Sequence, residues 1–169
     1  MTRYLTITLL LLAPLHAFAQ GAEIAFGGLG QDQNEPVEVT ADTLRIDQDS
    51  GFAVFSGSVL IVQGDMRMSA EEVEVRYITG DAPNSGEIDT MEATGGVTLV
   101  TSGEAAESQN AVYEVEDGIV IMTGDVLLTQ GQNTLSGNEL RIDVDAGTGV
   151  MQGRVRTIFQ SSGSRTANE

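Results

Sequence analysis

Four similar segments of the chain share a short Gly-x-Val step, and this repeat limits the possible folds more than any other feature. The glycines of the four steps are 38, 29 and 29 residues apart, at Gly57, Gly95, Gly124 and Gly153. Sixteen residues after each of the first three come similar phrases, centred on Val73, Ala111 and Leu140. An insertion of turn residues at 79–86 explains the longer first spacing. A period of about 30 residues indicates stacked structural units that share one core.

Within each repeat, apolar and polar residues alternate, as in Val73-Glu74-Val75 and Leu140-Arg141-Ile142. This period of two is typical of strands that are buried on one face. Turn residues separate the alternating segments, and no convincing helix follows residue 20. The pattern therefore predicts an all-β sandwich, barrel or roll of many short antiparallel strands. The repeated glycine fits either a bend inside a strand or a plain turn, and the pattern leaves both open.

The two ends of the chain differ in composition from the repeats. Residues 1–19 contain one positive charge, an apolar run from Leu5 to Leu15 and a small-x-small site that ends at Ala19. This is the pattern of a cleaved secretory signal, and the run is too short for a spanning helix. We predict a flexible linker at 20–35, one β domain at 36–160 and a disordered tail at 161–169. The signal predicts export to the periplasm of a double-membraned bacterium.

Charge and residue usage limit the possible activities. Loss of Arg3 with the signal leaves seven Arg and no Lys against 25 acidic residues, a net charge of −18. So acidic a chain is not expected to bind nucleic acid or an anionic membrane surface. The only His lies in the signal and Cys is absent. These absences argue against nucleophile–base pairs and against metal sites that need nitrogen or sulfur ligands.

Acidic residues are the only remaining catalytic or metal-binding candidates. A pair of carboxylates can hydrolyse a glycosidic bond, and Asp143 with Asp145 is a weak calcium candidate. Nothing in the surroundings of these residues distinguishes one pair, and no calcium-binding loop motif is present. We therefore predict a protein that is not an enzyme and holds no metal or cofactor. The carboxylates considered are Asp42, Asp47, Asp49, Glu71, Glu72, Glu74, Asp143 and Asp145.

Three phrases in order resemble the OstA-like family of periplasmic lipopolysaccharide transport proteins. The first runs from Glu35-Pro36-Val37-Glu38-Val39 to Asp42, and the second is Phe55-Ser56-Gly57-Ser58-Val59 with its flanking apolar residues. The third is Ala70-Glu71-Glu72-Val73-Glu74-Val75, and residues 115–126 resemble a second copy of the same pattern. The resemblance covers about residues 35–160. It implies a twisted β-jellyroll, open at both ends, whose two sheets enclose an apolar groove.

The resemblance also implies a function and partners. Members bridge the two membranes, shield the lipid A acyl chains of lipopolysaccharide and assemble end to end. The implied partners are an LptC-like inner-membrane protein, an LptD-like outer-membrane protein and further copies of the chain. The alternative is a periplasmic β-scaffold that binds proteins through its edge strands and carries no lipid. Because the cargo is anionic, Arg76, Arg154 and Arg156 are candidates to offset the acidic charge.

The predicted groove is lined by the alternating apolar positions of the first strands and of the middle repeat. It comprises Val37, Val39, Leu44, Ile46, Val59, Ile61, Val73, Val75, Val97, Leu99, Tyr113 and Val115. The predicted partner-binding edges are the unpaired first and last strands, because open edges pair with other chains. The residues assigned to these edges are Pro36, Arg76, Val155 and Ile158.

Overall fold

The computed structural model describes residues 22–26, 35–47, 51–78 and 87–160. Within these ranges the chain forms eleven β-strands and no helix. The strands are β1 (Ala22–Ala25), β2 (Glu38–Thr40), β3 (Thr43–Asp47), β4 (Phe52–Gln63), β5 (Met66–Tyr77), β6 (Ile88–Val100), β7 (Glu104–Glu114), β8 (Ile119–Gln130), β9 (Asn133–Asp143), β10 (Thr148–Gln152) and β11 (Arg156–Ile158). The all-β prediction is confirmed.

The strands form one antiparallel sheet that does not close on itself. Its order is β1-β10-β9-β8-β7-β6-β5-β4-β2, with β3 also paired to β4 and β11 also paired to β9. The first and last long strands of the meander are thus each interrupted: β2 and β3 lie end to end along β4, and β10 and β11 lie end to end along β9.

The first three repeated glycines lie at bends in the middle of β4, β6 and β8, and Gly153 lies at the bend between β10 and β11. Gly57, Gly95, Gly124 and Gly153 have φ between 77° and 86°, and the residue after each also has positive φ. The ladder shifts register at the first three of these points, as it does at a β-bulge. A bend within the strand is therefore the correct interpretation of the repeated Gly.

The bends divide the sheet into two parts. The first half-sheet contains β1, β3, β10 and residues 52–56, 72–77, 88–94, 110–114, 119–123 and 139–143. The second half-sheet contains β2, β11 and residues 59–63, 66–70, 97–100, 104–108, 126–130 and 133–137. One hydrophobic core holds residues from both half-sheets. The two apolar faces therefore pack on each other, as in a jellyroll.

The predicted linker is wrong over its first described residues, because Ala22–Ala25 forms β1 along β10. Alternation provides the physical reason: Ile24 and Phe26 face the core and are 6% and 3% exposed. Gly149 leaves room for the Phe26 ring, which a Cβ at that position would meet. The predicted signal at 1–19, the insertion at 79–86 and the tail at 161–169 lie outside the described residues.

Candidate functional site

The interior is lined by rows of residues that are paired across the strands. In the first half-sheet one row runs from edge to edge as Leu44, Phe55, Val73, Ala93, Ala111, Met122, Leu140, Met151 and Ala22. A second row beside it is Ile46, Ala53, Val75, Met91, Tyr113, Val120, Ile142, Gly149 and Ile24. The second half-sheet contributes Val39, Ile61, Met68, Leu99, Ala106, Leu128, Leu135 and Thr157. The interior is thus almost entirely apolar along its length.

The predicted groove residues all face or adjoin this interior, although they differ in exposure. Seven are buried: Val59, Ile61, Val73, Val75, Val97, Leu99 and Tyr113. Val37, Val39 and Val115 are half-buried against the core. Leu44 and Ile46 are 49% and 61% exposed, although their partners Phe55 and Ala53 face inward. The interior face therefore continues into solvent at the β3 edge. That these residues bind lipid stays a prediction.

The sequence analysis missed two parts of the lining: the residues of β8 and β9, such as Val120, Leu128 and Leu140, and the methionines. Met66, Met68, Met91, Met122 and Met151 are each at most 2% exposed. Methionine is unbranched and polarizable, and it fills irregular spaces more easily than Val or Ile. A sequence signal exists for Met66, Met68 and Met91, which lie between polar neighbours, whereas Met122 and Met151 each follow an apolar residue.

Two sets of side-chain hydrogen bonds, here called clasps, join the two half-sheets. In the first, the Tyr113 hydroxyl donates a hydrogen bond to Gln63 Oε1 at 2.8 Å, and the Gln63 amide donates to the Glu35 carbonyl at 3.2 Å. Tyr113 and Gln63 lie on β7 and β4, which are not neighbours in the sheet, so the bond crosses the interior. Burial raises the pKa of Tyr113 above its usual 10.0, and the negative charge of Asp145 raises it further.

The second clasp lies at the β1 side of the sheet. The Gln130 amide donates to the Ala25 carbonyl at 2.7 Å and to Glu104 Oε1 at 3.2 Å. The buried Glu104 carboxylate also accepts from the Thr101 hydroxyl at 2.6 Å. Because Gln130 is on the second half-sheet and Ala25 on the first, this clasp also crosses between them.

Several of the candidate catalytic or calcium-binding carboxylates pack against the bends or hydrogen-bond within a turn. Asp42 and Glu71 lie over Gly57 and Gly95 of the neighbouring strands, where a Cβ on the glycine would meet their side chains. Asp143 accepts a bond from the Ala146 amide at 2.8 Å in a turn. Asp49 lies outside the described residues. Across the described ranges, no three or more acidic, His or Cys side chains are grouped closely enough to hold a metal ion.

Of the predicted edge residues, Arg76 is misplaced. It lies on β5, which is paired on both sides, so it is not at an edge of the described sheet. Its guanidinium is 3.7 Å from the Glu92 carboxylate and 5.1 Å from the Phe52 ring centroid. Pro36 precedes β2, and Val155 and Ile158 lie before and in β11, so these three are at the two ends of the sheet.

The two half-sheets have different outer faces. On the outer face of the first, one cross-strand row mixes charged and apolar side chains, in the order Arg45, Val54, Glu74, Glu92, Val112, Ile121 and Arg141. The outer face of the second carries exposed apolar residues, which are Leu60, Val100, Leu127 and Ile158. No helix in the part of the chain that the structure describes is long and apolar enough to cross a membrane.

The sequence itself matches a known family over most of the sheet. Residues 38–148 match the family described as "LptA/(LptD N-terminal domain) LPS transport protein". The chain belongs to this family. The match begins at β2 and ends at the start of β10, so it spans the bent strands and the core that they enclose.

Individual relatives agree with the family. The lipopolysaccharide export system protein LptA of Haemophilus influenzae is 27% identical over 124 residues, which cover 69% of each chain. An uncharacterized protein of Rhizobium meliloti is 25% identical over 157 residues, covering 89% of this chain and 84% of the relative. The crystal structure of Pseudomonas aeruginosa LptH, titled as the LptA-homologous periplasmic component of a lipopolysaccharide transport device, has a TM-score of 0.67 at 17% identity. It covers 78% of this chain and 99% of LptH, and it confirms the jellyroll-like fold.

Proposed function

We propose that the chain carries lipopolysaccharide across the periplasm, from the inner to the outer membrane, with the lipid A acyl chains held between its two half-sheets. The observation that carries the proposal is the continuous apolar interior, which runs from the β3 edge to β1 in a protein of the LptA family. Burying each acyl methylene there contributes about 0.8 kcal/mol. No residue is proposed to act as a catalyst.

The interior is filled with side chains, so the two half-sheets have to move apart before acyl chains can enter. Side chains from both half-sheets fill it, and Val73, Val120, Met122, Leu128 and Leu140 are fully buried. The clasps Tyr113–Gln63 and Gln130–Ala25 hold the half-sheets together where acyl chains would enter. Each neutral hydrogen bond contributes only about 1 kcal/mol, so a few buried methylenes offset the loss of both. The buried methionines then adapt their rotamers to the chains.

The directions of the strands at the two edges support end-to-end assembly. The β2–β3 strand runs from the second half-sheet to the first, whereas the β10–β11 strand runs from the first to the second. A second copy placed head to tail can therefore pair its β2–β3 strand antiparallel to β10–β11. Such stacking continues the interior rows from copy to copy. The same edges are the proposed contacts for LptC-like and LptD-like partners.

Photo-crosslinking at adjacent leucines tests the proposal. Leu128 is fully buried and faces the interior, whereas Leu127 is 37% exposed on the outer face of the same strand. A photoreactive residue at Leu128 is expected to capture glycolipid in cells, and one at Leu127 is not. Val39 and Tyr113, which face inward, and Glu38, which faces outward, provide a second comparison.

The alternative scaffold function makes the opposite prediction. The exposed apolar side chains on the outer face of the second half-sheet, Leu127 among them, are the observation that favours protein partners. If Leu127 captures protein while Leu128 captures no glycolipid, and the purified protein carries none, the chain is a scaffold and not a lipid carrier.

A further inference from the structure

β1 makes the first half-sheet one strand longer than the second at the β10–β11 edge. Along that edge, β11 is the outermost strand of the second half-sheet, whereas β10 of the first is covered by β1. β1 is antiparallel to β10, so it has the same direction as β3 of a head-to-tail neighbour. If β1 stayed in place while β2 of that neighbour paired with β11, its β3 would meet β1 instead of β10. The two half-sheets would then be out of step by one strand.

The repeat identifies which residues belong in the position that β1 occupies. Met122 pairs on its two sides with Ala111 and Leu140, so apolar residues at equivalent repeat positions flank it. Met151 holds the same position before the next bend and pairs with Leu140 on one side. By the repeat, its other partner is the residue equivalent to Leu140, and that residue is Leu44 in the phrase Leu44-Arg45-Ile46.

In the described structure that partner of Met151 is Ala22, and Ile24 takes the place of Ile46 beside Gly149. β1 thus reproduces the inward pattern of β3 with a smaller residue at its start. Meanwhile Leu44 and Ile46 remain largely exposed at the opposite edge. Ala22 and Ile24 of β1 therefore occupy the positions in which the repeat places Leu44 and Ile46.

Few interactions hold β1 in place. It is four residues long, and two side chains, Ile24 and Phe26, anchor it in the core. The Phe26 amide donates to the Gly147 carbonyl at 2.7 Å, and Gln130 holds the Ala25 carbonyl. A strand this short is a minor part of the sheet and can leave without unfolding the rest.

We propose that the β10 edge is the docking site for β3 of a second copy and that β1 occupies this site in cis, so that β1 must leave before two copies stack. The proposal rests on the end-to-end assembly proposed above and adds the step that controls it. Release of β1 exposes the β10 edge, and Leu44 and Ile46 of the incoming copy then cover it.

A disulfide that holds β1 on β10 tests the proposal directly. Ala25 and Thr148 are paired, exposed or half-exposed and outward-facing, and the chain has no cysteine of its own. A cross-strand pair is close enough for a disulfide. Exported, purified A25C/T148C protein is expected to stay monomeric in sedimentation velocity over a concentration series when oxidised and to associate when reduced. Association of the oxidised protein equal to that of the reduced protein would overturn the proposal.

The opposite change releases β1. Gln130→Ala removes the bonds to the Ala25 carbonyl and to Glu104. Only the first holds β1, and because it is worth about 1 kcal/mol, association is expected to strengthen about fivefold. Gln109→Ala is the control, because Gln109 makes a similar exposed bond to Asp125 on an inner pair of strands. Equal effects of the two substitutions would contradict a role for β1. Disulfides between chains in freshly purified A25C/T148C protein would show that β1 of one copy pairs with β10 of another. That result would also contradict the proposal, in which β1 covers β10 of its own copy.

Lipid capture separates this proposal from the proposed function. Oxidised A25C/T148C protein with the photoreactive residue at Leu128 is expected to capture glycolipid as the reduced protein does. If capture is retained and only stacking is lost, both proposals stand. If capture is retained but the oxidised protein stacks, the β1 proposal alone fails. If no variant associates at any concentration, the β1 proposal and end-to-end assembly fail together, and capture at Leu128 then decides whether lipid binding stands alone.

Discussion

At the residue scale, the glycines at the bends meet two separate requirements. They take up positive φ, which other residues adopt only with strain, and some also lie against a side chain of the neighbouring strand. A Cβ on Gly95 would be 2.7 Å from the Glu71 Cβ, whereas one on Gly96 would meet nothing within 4 Å. The two neighbours have φ of 85° and 87°, so the backbone requirement is the same for both.

Comparison of Gly95 with Gly96 predicts that a side chain at Gly95 adds a packing clash to the backbone strain, whereas one at Gly96 adds none. Gly95→Ala and Gly96→Ala both introduce a strained backbone, and Gly95→Ala also forces Glu71 aside. We expect Gly95→Ala to lower the free energy of unfolding by about 1–3 kcal/mol more than Gly96→Ala does. Urea denaturation of both variants measures the difference. Equal losses would mean that Glu71 moves away without cost.

Tyr113 predicts a pH dependence that few other groups can obscure, because the chain has no Lys. Its pKa is raised in the folded state, so above pH 10.0 the unfolded chain releases the hydroxyl proton before the folded chain does. The contribution of the Tyr113 hydroxyl to the free energy of unfolding is therefore complete below pH 10.0. The free energy of unfolding then falls by up to about 1.4 kcal/mol per pH unit as the pH rises towards the folded pKa. Tyr113→Phe removes this fall, and it costs about 1–2 kcal/mol at neutral pH because the buried hydrogen bond from the hydroxyl to Gln63 is lost. Denaturation at several alkaline pH values tests both effects; parallel profiles would contradict the first.

At the element scale, the bent strand is the unit that the sequence predicts best. Alternation and the Gly-x-Val spacing identify strands around Val73, Ala111 and Leu140, and those strands are present. The spacing could not tell a bend from a turn, because both use glycine and only pairing distinguishes them. β1 was missed because four residues in a Gly- and Gln-rich segment carry too little alternation. Its partner β10 lies more than a hundred residues away in the sequence.

β3 supplies a prediction about association. Ile46 is 61% exposed in the single copy and would be covered by β10 of the next. Ile46→Asp is expected to change the unfolding free energy by less than about 1 kcal/mol and to weaken association at least about tenfold, because it buries an unpaired carboxylate. Thr43→Asp places the same charge on the outward side of β3 and is the control. Sedimentation equilibrium compares the two; equal weakening would point to charge alone.

At the whole-molecule scale, charge opposes association. The full chain has a net charge of −17, and copies that stack end to end bring these charges together. Repulsion between exposed charges is screened within about 10 Å at 0.1 M salt. We therefore expect association to strengthen as salt is raised, whereas lipid capture at the apolar interior stays nearly constant. Weaker association at higher salt would show that ion pairs, and not apolar side chains, hold the copies together.

The opposite directions of the first and last bent strands have a consequence for anything built through them. A row of copies joined by β2–β3 and β10–β11 has two unlike ends, one formed by β2 and β3 and the other by β11 and the β10 edge, which β1 covers in a copy without a neighbour there. All copies in such a row have the same orientation, because a reversed copy would bring two identical edges together. A partner that recognises one edge cannot cap the other. The strand directions of each copy would then determine which partner binds at which end of the row, and no other feature of the chain would be needed to orient it.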